Sequence, residues 1–107
     1  MTIKYKNAKV DLTTADATAV LTPANATTAI LNSILVSEDS GNADTIDLTI
    51  TDADSAVFSL FKVKAVGANT TVELFTKTLV LAESEILKAE AATANRLHVV
   101  ASYMEIS

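Results

Sequence analysis

The residues able to do chemistry are few and far apart. His98 is the only histidine, and the 107-residue chain has no cysteine and no tryptophan. A Ser-His-Asp hydrolase would therefore have to be built around that one imidazole, oriented by a carboxylate and facing a nucleophile. His98 instead falls inside an alternating apolar run, and no glycine-flanked serine turn exists to present a nucleophile. The acidic stretch from Glu38 to Asp54 is the one place with enough oxygen donors to consider calcium. Glu38, Asp39, Asn42 and Asp44 are close in sequence, with Asp52 and Asp54 beyond an intervening strand. Calcium takes about six to eight oxygens from a flexible loop, and this spacing does not match an EF-hand, so solvated turns are the expectation. Glu83 and Glu85 resemble a glycosidase carboxylate pair, but those enzymes also need an aromatic-lined cleft. Aromatic side chains amount to Tyr5, Phe58, Phe61, Phe75 and Tyr103, several of them in apolar phase. Two glycines leave no loop to cradle a phosphate. The expectation is a non-enzymatic protein without cofactor or metal.

Composition narrows the partners. A net charge of −5 speaks against nucleic acid, which needs clustered Lys and Arg. Lys4, Lys6 and Lys9 form a basic cluster at the amino end, and no further basic residue appears before Lys62. Between them lie Asp11, Asp16, Glu38, Asp39, Asp44, Asp47, Asp52 and Asp54. A chain polarised in this way can dock its basic end on an acidic neighbour, including another copy of itself. No run approaches the roughly 20 apolar residues of a membrane helix. The amino end alternates where a signal peptide would have an apolar core, so synthesis in a cytoplasm is expected.

The elements that must position these residues are strands. Ile46, Leu48 and Ile50 alternate with Asp47 and Thr49, the pattern of a half-buried strand. Thr28 to Val36 places Ile30, Ile34 and Val36 in one phase and Leu31 and Leu35 in the other, a strand apolar on both faces. Residues 38–44 have turn chemistry, which predicts a hairpin between those two strands. Further strands are expected over Ala56–Val66, Thr71–Phe75, Leu79–Leu81, Ile86–Ala91 and Leu97–Ile106. Residues 79–94 are rich in Ala, Glu and Leu, yet the break at Glu83-Ser84-Glu85 favours two short strands over a helix. A faint internal echo links Pro23-Ala24-Asn25-Ala26-Thr27-Thr28 with Gly67-Ala68-Asn69-Thr70-Thr71, each followed by an apolar strand and an acidic turn. Half the residues are apolar, which suits a packed core rather than disorder. The fold class is all-β: one antiparallel β-sandwich over residues 1–107, Ig-like or jelly-roll-like, with eight or nine short strands. Residues 1–10 serve as a docking arm or an edge strand.

The doubly apolar strands carry the functional hint. If Leu97, Val99 and Tyr103 face the core, then Val100, Met104 and Ile106 point outward. Leu31 and Leu35 likewise need cover if Ile30 and Ile34 point inward. Such surface marks an association face unless a closed barrel or the Asp11–Leu21 segment covers it.

Several stretches also resemble small β-rich virion proteins of tailed bacteriophages. They are the opening Ile3-Lys4-Tyr5-Lys6-Asn7-Ala8-Lys9, the Pro23-Ala24-Asn25 turn, and Leu79-Val80-Leu81 with its acidic turn and Leu87-Lys88-Ala89. The ending Ser102-Tyr103-Met104-Glu105-Ile106-Ser107 completes the likeness, while Ser84 stands where that turn usually has glycine. The resemblance implies a capsid decoration (cement) protein on the outer surface of the virion, binding the major capsid protein and self-associating, as a trimer. Tail or fibre components, including host-surface-binding modules, belong to the same broad group. On this reading Lys4, Lys6 and Lys9 dock, and Val100, Met104 and Ile106 meet a second protomer.

Overall fold

The computed structural model describes residues 1–75 and 77–107. Nine strands account for the described regular structure: β1 (Ile3–Asp11), β2 (Thr18–Leu21), β3 (Thr28–Glu38), β4 (Asp44–Thr51), β5 (Val57–Val66), β6 (Thr71–Glu73), β7 (Leu79–Leu81), β8 (Ile86–Ala91) and β9 (Leu97–Ile106). They form two antiparallel sheets. In the first, the order is β1-β9-β3, and β6 and β7 both pair with the far edge of β3 as one interrupted strand. The second has the order β2-β8-β4-β5. The chain passes from sheet to sheet except at the β4–β5 hairpin and between β6 and β7, the connectivity of a jelly roll, which selects one of the two expected sandwich types.

The core lies between the sheets and is built from small branched side chains. Leu31, Ile34, Val36, Leu97, Val99 and Ala101 of the first sheet meet Ile46, Leu48, Leu87 and Ala89 of the second, all at most 1% exposed. Phe61 and Phe75 pack against this core and meet edge to face, with ring centroids 5.6 Å apart. Leu12 is fully buried just after β1, its N–H donating to the Leu97 carbonyl at 3.0 Å. The 11–21 segment thus crosses into the second sheet; it does not overlie the outer face of the first.

The expected hairpin between the strands at 28–36 and 46–50 does not form. Both edges of β3 are taken, by β9 on one side and by β6 and β7 on the other, while β4 pairs with β8 and β5. The 38–44 turn carries the chain from sheet to sheet, and Glu38 holds it there. The Glu38 carboxylate accepts the Ser40 hydroxyl and the N–H groups of Ser40, Gly41 and Asn69. These hydrogen bonds, the Ser40 hydroxyl foremost, stabilise the ionised form against the cost of burial and hold its pKa down to about 2.

The internal echo is real in three dimensions. Ala26 and Asn69 both have left-handed φ, at 60° and 54°. One residue later a threonine hydroxyl donates to the carbonyl three positions back, Thr27 to Ala24 at 2.6 Å and Thr70 to Gly67 at 2.7 Å. Each turn delivers the chain to the first sheet, and the acidic turns that follow β3 and β7 pass it to the second. The Ser84 turn keeps the geometry glycine favours, with φ at 69°.

Candidate functional site

Strand register assembles the outer face of the first sheet. On β9, Leu97, Val99, Ala101 and Tyr103 are buried, so Val100, Met104 and Ile106 project outward. Tyr5 lies across from Met104, Met104 from Ile30, and Ile30 from Val80. One apolar row therefore crosses β1, β9, β3 and β7. Ile3 opposite Ile106 extends it at one end, and Leu35 opposite Val100 adds a second row toward the other. Tyr5 is 81% exposed, Val80 57% and Ile3 46%. With strands about 4.8 Å apart and a rise of about 3.4 Å per residue, the face covers roughly 400 Å², its two apolar rows separated by the polar Asn7, Ser102 and Asn32. Apolar patches of a few hundred Å² on a single soluble chain are often functional.

Leu31 does not belong to it. That residue is 0% exposed, whereas Leu35 is 37% exposed, although the two were expected on one face. A bulge separates them: β9 partners run Leu31 to Tyr103 and then Ser33 to Ser102, leaving Asn32 as the extra residue. One inserted residue reverses the side-chain phase. Ala29 and Leu31 before the bulge thus join Ile34 and Val36 after it in the core. Ile30, expected inward with Ile34, turns outward for the same reason.

The three amino-terminal lysines do not form one basic surface. The 1–10 segment is an edge strand, paired with β9 from Ile3 through Asp11. Lys9 shares the outer face, opposite Val100, but Lys4 and Lys6 alternate to the other side. There the Lys6 ammonium pairs with Glu105 at 3.1 Å. Sequence reasoning missed Tyr5, Ile30 and Val80; their shared row depends on a register that local alternation does not supply.

The remaining candidates have structural partners. His98 sits between two carboxylates, Nε2 at 3.3 Å from Asp11 and Nδ1 at 3.6 Å from Asp39, tying the end of β1 to the 38–44 turn. In the acidic stretch, the Glu38, Asp44, Asp47 and Asp52 carboxylates are engaged by backbone N–H groups. Asp44 accepts from Thr45 and Thr93, and Asp52 from Asp54 and Ala56. Glu85 accepts the Ala82 N–H at 2.7 Å, closing the turn before β8.

On the second sheet, β5 is an open edge with Val57, Phe58 and Val63 exposed. Val63 has φ of 52°, strained for a β-branched residue, and Asp47 holds it by accepting its N–H at 2.7 Å.

No protein-family model matches the chain. No curated protein sequence matches it either. Among solved structures it is similar to a chain of Bacillus endospore appendages, described as a novel family of disulfide-linked pili. The TM-score is 0.58 at 9% identity, covering 99% of this chain and 88% of that one. It also aligns with the CBM22-1–GH10 modules of Clostridium thermocellum endo-1,4-β-D-xylanase 10B complexed with xylohexaose, at TM-score 0.44 and 10% identity, over 96% of this chain and 24% of that one. The first likeness shows a shared β-rich fold. The second is too low to carry an argument. The disulfide linkage of the pili has no counterpart here, because the chain has no cysteine.

Proposed function

We propose that the chain is a non-enzymatic structural protein of a tailed-phage virion, a capsid decoration protein that docks on the major capsid protein through the outer face of its first sheet. The observation that carries this reading is the apolar row Tyr5–Met104–Ile30–Val80, which crosses four strands with none of the described residues folded over it. Two supporting points are the resemblance of the chain to small virion proteins and the structural role of its pilus neighbour. Neither the His98 cluster nor the backbone-bound carboxylates present a nucleophile or an acid–base pair, which favours a binding role over catalysis.

Patch size sets the manner of binding. Roughly 400 Å² is half the ≈ 800 Å² per partner of a standard stable interface, so one contact alone is weak. Repetition over a shell makes such contacts effective, and assembly into a trimer would multiply them further. Contact between copies would fall to the free edge of β5 at Phe58, which is exposed and lies outside the hollows of that sheet.

The test is co-sedimentation of the purified chain with heads lacking accessory proteins. Wild-type protein is expected to pellet with the heads, and Met104→Asp to remain in the supernatant while melting within a few degrees of wild type. Wild-type protein that stays in the supernatant at every salt concentration overturns the proposal, as does unimpaired pelleting of Met104→Asp.

A further inference from the structure

Four charged side chains converge on the outer face of the second sheet without pairing with one another. Asp47 on β4, Glu90 and Lys88 on β8 and Lys62 on β5 line two adjoining hollows that share Asp47 and Glu90. The hollows measure about 310 Å³ and 250 Å³. Their walls are Ala15 and Ala17 on one side and Val57 and Val63 of β5 on the other. Among the described residues, ion pairs occur only between Lys6 and Glu105 and between His98 and its two aspartates. The charges in the cleft are therefore unmatched.

The unmet hydrogen bonds define what would fit. Asp47 stands directly across from Glu90 in register, a like-charge juxtaposition that destabilises a sheet. Carboxylates only accept, and lysine ammoniums only donate. Asp47 receives the Val63 N–H, and no described side chain donates to Glu90. An occupant matched to this floor supplies donors to two carboxylates and acceptors to two ammoniums. Alcohol hydroxyls do both.

We propose that this cleft binds a polyhydroxylated chain, an oligosaccharide segment lying along β4. From Thr45 to Thr51 the floor is about 20 Å long, room for several sugar rings. A peptide strand is the poorer occupant. The floor strands β4 and β8 are each paired on both edges, so no free ladder of N–H and C=O groups is offered for strand addition. The cleft lining contains no aromatic ring, so recognition is by hydrogen bonding and each site is individually weak. Many copies on one particle would supply the avidity. This cleft lies on the opposite sheet from the docking row, and either reading can fail without the other.

The experiment is an NMR titration of the full chain with dextran, laminarin and alginate, and with a strand-forming hexapeptide as comparison. At least one polysaccharide is expected to shift the β4 and β8 amides. Thr49→Val combined with Glu90→Ala should weaken that binding by about tenfold or more, with Met104→Asp leaving it unchanged. The proposal is overturned if none of the three polymers shifts those amides up to its solubility limit. Shifts confined to other strands overturn it as well, and so does binding of the peptide alone. Because wild-type shift mapping decides these outcomes, the test stands even if the double variant misfolds.

Discussion

Leu31 and Leu35 are the same residue type four positions apart on one strand, and the Asn32 bulge gives them opposite fates. Truncating each to alanine removes three carbons, worth about 2.4 kcal/mol of transfer free energy when burial is complete. Leu31 is 0% exposed among packed neighbours, so Leu31→Ala also leaves a cavity, and the loss should reach about 3–4 kcal/mol. Leu35 is already 37% in water and encloses no cavity, so Leu35→Ala should lose about 1.5 kcal/mol. With a urea m-value of about 1.5 kcal/mol/M, the midpoint falls by roughly 2–2.7 M for Leu31→Ala and by about 1 M for Leu35→Ala. Urea unfolding followed by far-UV circular dichroism reads both midpoints, and equal m-values confirm that stability alone has changed. Equal losses, or a larger loss at Leu35, would refute the bulge and with it the outward placement of Ile30.

Other consequences follow from strain and charge. Ala26→Gly and Ser84→Gly each relieve a left-handed residue and should each raise stability by about 0.5–1 kcal/mol, seen as a higher melting temperature; a drop at either site contradicts the turn geometry. The folded pKa of Glu38, about 2, lies below its ordinary 4.5, so its ionised form stabilises the fold above that ordinary value and the stabilisation is lost as pH falls toward 2. Glu38→Gln should therefore melt lower at neutral pH, by roughly 5–10 °C, and show a flatter stability profile between pH 5 and 2. A profile as steep as that of the wild type would show that other carboxylates carry the acid dependence. Lys6→Ala breaks an ion pair whose lysine is 41% exposed and should cost no more than about 1 kcal/mol, with the difference shrinking in high salt.

Much of the fold was legible locally. Ile46, Leu48 and Ile50 declared a half-buried strand, Leu97 to Ile106 a long one, and Glu83-Ser84-Glu85 the break between two short ones. These readings hold because side-chain alternation is a property of a single extended strand. The pairing at β3 and β4 was misread because turn chemistry reveals where a chain reverses but not which sheet receives it. That choice went to the long-range partners β9 and β8. The same limit applies to the outer face. Val100, Met104, Ile106 and Leu35 could be placed from alternation, but Leu31 could not, because an inserted residue is visible only against its partner strand.

What the sequence determined by itself is the all-β class, the strand count, the scarcity of catalytic groups and the apolar outward positions of the last strand. Tertiary structure alone decided that Tyr5, Met104, Ile30 and Val80 lie in one row, and that Asp47 and Glu90 stand side by side on the floor of a cleft. The physical reason is that alternation is set within a few residues of chain. Register and sheet membership are set by hydrogen bonds and packing between strands as far apart in sequence as β1 and β9.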